Sequence, residues 1–390
     1  MRKSKTQKGI TLIALIITIV VLMVLAAVAI SSIQNDGIIG HAQNATDKFK
    51  QEQVKEQDML EYYEQLLSGN LITVKDAQAK GEPLSTTKNT NVYDEYGNKI
   101  VVPAGFKITT DADTVPEGIV IEDATYANTI GSQFVWIPVG NVKDSEGTKT
   151  INLGRYVFDS TTGNPSAYTK AAKEDTESSH DSSYKNAIAR DIEAFITSAN
   201  SKGGYYIGRY EARTNNTTGR AAKTDALTTM TTIKTNAVYN YVTQAQASER
   251  SRSMYGDANE TKRTFSSDLI NSYAWDTAIV FLQEFDDRDR EVYTKEYSRQ
   301  NSLNTGSVAT TGTQGITDTT KHDKVCNIWD MASNCSEWST ETWSNTDHPC
   351  VLRGGNFIHI SSHCASSRIV GSTSDADAFH SFRPLIYVAL

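Results

Sequence analysis

The sequence predicts an α+β chain: a long N-terminal helix whose first part crosses a membrane, followed by a domain of short strands, helices and long loops. Three observations predict it. Ile10 to Ile30 is an unbroken apolar run, Ser31 to about Leu67 keeps a helix-forming composition in polar form, and from Leu71 onward short apolar runs alternate with turn residues. The 390 residues leave room for the anchor and one or two globular domains with a sizeable core. A net charge of -8 with no concentrated basic face excludes nucleic acid as the main partner.

The apolar run holds no charged residue, proline or glycine and is long enough to cross a hydrocarbon layer of roughly 30 Å as one helix. Arg2, Lys3, Lys5 and Lys8 precede it without an acidic residue, so the N-terminus stays cytoplasmic and the rest is exported. A basic leader that ends in Gly9 directly before such a run resembles the type IV prepilin signal. The resemblance implies a leader over 1–9, cut after Gly9 by prepilin peptidase, and methylation of Ile10. It further implies a transmembrane helix over 10–31 and an amphipathic pilin helix over 32–69 that bundles with other pilin subunits. The protein would sit in the cell membrane before assembly, then in an extracellular pilus or on the bacterial cell surface. Members of that family commonly start with phenylalanine and carry glutamate at the fifth mature position, where this chain has Ile10 and Ala14. A minor or tip pilin, or a pseudopilin, fits these departures better than a major subunit.

In the polar half of the helix, Phe49, Leu60, Tyr63 and Leu67 recur at helical spacing as one apolar stripe. Gly37 and Gly40 form a soft joint, each costing about 1 kcal/mol relative to alanine, and Gly69 caps the end. The globular part, 70–390, opens with strand grammar up to Gly140, including a turn at Tyr96-Gly97-Asn98. Ser160–Asp181 and Thr214–Thr232 read as surface loops or insertions. Helices are expected over Ala187–Ala199, Val242–Met254 and Ser266–Phe285, and a strand over Gly203–Ala212. The charged run from Phe285 to Glu291 reads as solvated surface at a helix end. All four cysteines, Cys326, Cys335, Cys350 and Cys364, lie in the last quarter; outside the membrane they could pair in three full ways, among which the sequence does not choose.

Six segments occur in order: FVWIPVG at Phe134–Gly140, YYIGRYEA at Tyr205–Ala212, NIWDMASNCSEW at Asn327–Trp338, VLRGGNF at Val351–Phe357, ASSR at Ala365–Arg368 and SFRPLIYV at Ser381–Val388. This ordered set resembles the formylglycine-generating-enzyme-like branch of the C-type lectin fold, over approximately 90 to 390. The resemblance implies that Trp329, Trp338, Arg353, Gly354, Gly355 and Arg383 are scaffold: rings in the core, glycines at close backbone approaches, arginines pinned by hydrogen bonds. It also leaves room for a structural calcium; no other cofactor is expected.

Oxidases of that family hold copper through two cysteines separated by four residues after the R-G-G turn. Here Cys364 takes the second position and His359 the first, so the thiolate pair is broken and no catalytic residue is assigned. A surface-tethered oxidase is the enzymatic alternative, a pseudopilin of a secretion or uptake system the structural one.

Between Asn356 and Arg383 there is no Lys, Glu, Gln, Met or Trp. Those residue types are unreachable when asparagine codons ending in a pyrimidine are randomised at their adenines. This palette, between an R-G-G turn and a closing F-R strand, resembles the variable region of proteins diversified by diversity-generating retroelements. That resemblance makes Phe357, Ile358, His359, Ile360, Ser361, His363, Ile369, Val370, Gly371, Asp375, Asp377, Phe379 and His380 the candidate ligand contacts within a variable segment, 356–383. Apolar residues mixed with His and Asp suit a protein or glycan ligand on another cell, a phage or a host surface. The expected function is a displayed adhesin that captures a ligand and performs no chemistry.

Overall fold

The computed structural model describes residues 59–168, 173–174, 192–286, 324–343, 347–358 and 363–389, with single positions 49, 53, 56 and 57 before them. The chain divides into two compact units, Met1–Leu67 and Ser68–Leu390. In the first, residues 59–67 are helical, and Phe49, Leu60, Tyr63 and Leu67 are all exposed.

The second unit begins with α1 (Val74–Lys80), started by a capping box: the Thr73 hydroxyl accepts from the Asp76 N–H, and the Asp76 carboxylate accepts from the Thr73 N–H. A hairpin follows, β1 (Thr90–Tyr93) and β2 (Lys99–Val102), turning at Gly97 with φ +80°. Next come β3 (Phe106–Ile108), β4 (Val120–Asp123) and β5 (Gln133–Pro138). Two ribbons, β6 (Gly140–Asp144) with β7 (Gly147–Ile151) and β8 (Tyr156–Phe158) with β9 (Pro165–Ala167), lead to β10 (Lys173–Glu174). Then follow α2 (Ile192–Lys202), β11 (Gly204–Gly208), α3 (Gln244–Tyr255), α4 (Ala258–Thr261), β12 (Phe265–Leu269) and α5 (Ser272–Phe285). The C-terminal part holds β13 (Lys324–Val325), β14 (Ile328–Trp329), β15 (Ser336–Thr342), β16 (Cys350–Arg353), β17 (Arg368–Gly371), β18 (His380–Phe382) and β19 (Pro384–Val388).

Two sheets organise these elements. The main sheet is antiparallel throughout, in the order β12-β19-β11-β5-β4-β3. Its middle strands β19 and β11 are buried at every residue, because α2 packs on them from one side and the core fills the other. The second sheet runs β10-β15-β16-β17, with β18 lying parallel to the start of β15. Helix α5 touches strands of both sheets, so Trp275, Ile279 and Leu282 are buried with the core side chains of each.

Several expectations change. The long helix over Ser266–Phe285 is really strand β12 followed by α5. Phe265 to Leu269 pair with Val388 to Pro384, and the Asn271 side chain, accepting from the Ala274 N–H, starts the helix only afterwards. The strand over Gly203–Ala212 stops at Gly208, beyond which the chain turns to the second sheet and the Ala212 N–H donates to the Phe382 carbonyl. The loop assigned to Ser160–Asp181 contains β9 and β10.

The fold class is corrected as a whole. The α+β chain led by a long transmembrane helix gives way to an architecture made mostly of β-sheet with few helices. The longest named helix, α5, has 14 residues, and among the described residues no helix is long and apolar enough to cross a membrane. The apolar run Ile10–Ile30, the leader, Gly9 and Ile10 all lie outside the described residues.

Candidate functional site

The segment from Asn356 to Arg383 rests on a frame of buried ion pairs. Arg353, at the end of β16, is fully enclosed: Nη2 donates to Asp276 Oδ1 at 2.6 Å, Nη1 to Glu341 Oε2 at 3.3 Å and Nε to the Ser367 carbonyl at 3.0 Å. Arg368, opposite it on β17, donates from Nε to the other oxygen of Glu341 at 2.8 Å and from Nη2 to the other oxygen of Asp276. Two carboxylates thus lock two guanidiniums, tying α5 to three positions of the second sheet. Each charge is compensated on the spot, which a buried ion requires.

Arg383 does the same between the sheets. It forks onto Glu337 of β15, and its remaining donors reach the Gly208 carbonyl at 2.7 Å and the Trp329 carbonyl at 2.9 Å. Trp338 is buried and donates from Nε1 to the Val242 carbonyl at 2.8 Å; Trp329 is buried beneath Lys234, whose Nζ lies 4.7 Å from its ring centroid.

Gly354 and Gly355 let another loop pass. Gly354 has φ +75°, and a side-chain carbon there would stand 2.5 Å from the Met331 carbonyl oxygen; one on Gly355 would stand 2.5 Å from that of Ala332. The loop they admit carries four non-glycine residues in the left-handed region, Cys326, Asn327, Asp330 and Asn334.

On this frame the candidate contacts separate into three groups. Ile358, Val370 and Asp377 are exposed, while His363, Ile369, Asp375 and Phe379 are half-buried. Phe357, Gly371 and His380 are buried and are corrected as surface contacts. Phe357 packs with Val238 and Cys335; Gly371 faces Trp338, whose Cη2 would lie 2.8 Å from any added side-chain carbon; and His380 stacks edge-on against the same indole at 5.3 Å. His359, Ile360 and Ser361 lie outside the described residues.

Of the four cysteines, Cys335, Cys350 and Cys364 are buried and Cys326 is half-buried. Cys364 Sγ lies 3.3 Å and 3.4 Å from the hydroxyls of Ser366 and Ser367, and burial pushes the Cys335 thiol well above its ordinary range. Among the described residues no group of three or more His, Cys, Asp or Glu side chains could hold a metal ion.

Sequence reasoning missed the acidic half of the frame: Asp276, Glu341, Glu337, Glu211 and Asp330. A signal existed in SEWSTET, where two glutamates stand in one short strand that is buried at every residue and so must find cationic partners.

No family model matches the chain, and no curated protein matches it. Solved structures give weak likenesses. CarF is 18% identical over 33% of this chain with a TM-score of 0.26, and the match spans 49% of CarF. Treponema denticola variable protein 1 is 11% identical over 72% of this chain and 98% of that one, with a TM-score of 0.33. PvdO from Pseudomonas aeruginosa is 13% identical over 66% of this chain and 95% of that one, with a TM-score of 0.35.

Proposed function

We propose that the second unit is a lectin-like ligand-binding domain, and that the segment 356–383 presents changeable side chains on a fixed frame to a protein or glycan on a neighbouring surface. One observation carries this reading. Among the described residues of the unit, four large apolar side chains are exposed, Ile130, Val157, Ile358 and Val370, and two of them stand in this one segment. A ligand seated on this segment would cover both. Arg353 and Arg368, on the strands that flank the segment, are fixed by mutual ion pairs with Asp276 and Glu341, which would hold the backbone while exposed side chains change.

Sequencing this gene and its flanking DNA from many individual cells tests the reading. The expected result is variation at Ile358, Val370 and Asp377 and at their half-buried neighbours, with Phe357, Gly371, His380 and the three arginines constant, and a near-identical template repeat beside the gene. A segment as uniform as the rest of the gene, with no repeat, would sink diversification.

A further inference from the structure

Among the described residues six non-glycine residues lie on left-handed backbone, and Tyr241, at φ +54°, is the only aromatic of them. A bulky side chain rarely adopts that conformation, so neighbouring groups must impose it. Arg220 is one such group. Its buried guanidinium donates from Nη1 to the Tyr241 carbonyl at 2.6 Å and the Asn240 carbonyl at 3.3 Å, and from Nη2 to the carbonyls of Asp225 at 2.7 Å and Lys223 at 3.1 Å. The same turn also holds the end of the segment 356–383: the Tyr241 N–H donates to the Asp377 carbonyl at 3.1 Å and Asn240 Nδ2 to the Ala378 carbonyl at 3.0 Å. The Tyr241 side chain takes no part in these bonds. The residue is half-buried, and among the described residues its hydroxyl has no hydrogen-bond partner.

We propose that Tyr241 is a fixed anchor of the ligand site: a strained turn holds an aromatic side chain at the edge of the changeable segment, where each ligand of that segment meets it. The proposal rests on reading the segment as a ligand site. Strain of this kind persists only where surrounding bonds over-determine it, and it gathers where the position of a side chain serves binding. Here the bonds on both sides of the turn use main-chain atoms and the Asn240 amide, so none of them calls for a tyrosine. What the tyrosine adds is an apolar ring with a hydroxyl at its tip, one backbone hydrogen bond away from the exposed Asp377. Together with the exposed aliphatic side chains Ile358 and Val370 of the segment, such a ring suits a protein partner. Because Tyr241 stands outside the segment, diversification would leave it unchanged and give differing segments one shared contact.

Thermal melts and peptide binding on the full chain test it. Tyr241→Asn keeps the backbone bonds of the turn and supplies a residue that tolerates left-handed backbone, so its Tm is expected to be no lower than that of the wild type. A fall would show that the ring is packed for stability and would overturn the anchor. The binding probes are short linear peptides selected from a displayed library on the wild type, keeping those that lose binding to Asp377→Arg. Their Kd is expected to rise about tenfold or more in Tyr241→Asn and to change little in Tyr241→Phe, which keeps the ring. Such peptides binding Tyr241→Asn as tightly as the wild type overturn the anchor alone. Glycans that bind the wild type but not Asp377→Arg, with no such peptide, overturn the protein partner. If neither peptides nor glycans depend on Asp377, the ligand reading of this end of the segment fails, and the anchor with it.

Discussion

Phe357 and Ile358 are neighbours in the chain, yet the first keeps 4% of its surface exposed and the second 40%. Unequal consequences of substitution are expected. Phe357→Ala empties the cluster with Val238 and Cys335 and costs about 3–5 kcal/mol. Ile358→Asp and Val370→Asp cost less, about 1 kcal/mol each, because both side chains keep some two-fifths of their surface in solvent. Urea unfolding of the three variants measures the contrast, and comparable losses would mean that the exposed pair is packed after all. At Arg353 the expected loss in Arg353→Ala is about 3–5 kcal/mol, since removing the cation leaves Asp276 and Glu341 buried around a vacancy. Sequence reading could name Arg353 and Arg383 from their motifs but not their acidic partners, which come from α5 and β15, distant in the chain. It could not separate Phe357 from Ile358 either: outside a regular strand, adjacent residues follow no alternation that would tell which faces inward.

Among the elements, the loop between β13 and β15 depends most on small neighbours. It passes close to Gly118 on one side, where a side-chain carbon would stand 1.8 Å from the Cys326 carbonyl oxygen, and to Gly354 and Gly355 on the other. Gly118→Ala and Gly354→Ala each place a side chain on left-handed backbone, costing about 1–2 kcal/mol before any steric overlap. Thermal melts should therefore show both falling further than Gly140→Ala, whose added carbon meets nothing within 4 Å although its backbone is also left-handed, at φ +108°. The R-G-G motif announced this crowding in the sequence, whereas Gly118 carried no motif because its partner lies far along the chain. The misjudged helix over Ser266–Phe285 has a similar cause. Its apolar residues fit a helical face, and only the remote strand β19 draws Ser266 to Leu269 into a strand.

At the scale of the whole molecule, two buried glutamates govern the dependence on pH. Burial raises Glu337 from 4.5 to about 7 against the pull of Arg383, and burial also raises Glu211 well above the usual carboxylate range. A carboxyl whose folded pKa exceeds its unfolded value stabilises the fold below the unfolded value and loses that contribution as pH rises through the folded one. Asp111, lowered by the bonds and charge of Arg209 that outweigh its burial, works the other way and loses its contribution in acid. Thermal unfolding should therefore show a higher Tm near pH 5.5 than near pH 8. A rise in Tm across that interval would contradict the burial of Glu211 and Glu337. Short strands after Leu71 were legible from their alternating runs, but the predominance of sheet and the strand order were not, since pairing β19 between β11 and β12 joins residues that no local pattern connects.

The place of β19 also bears on inheritance. Both of its neighbours in the main sheet, β11 and β12, find their partner in residues encoded downstream of the segment 356–383. Any insertion or deletion there that shifts the reading frame removes β19 from between β12 and β11 and leaves both without that partner. The architecture therefore acts as a filter on mutation: exchanges at exposed positions such as Ile358 leave the sheet intact, whereas frame-shifting errors remove one of its inner strands.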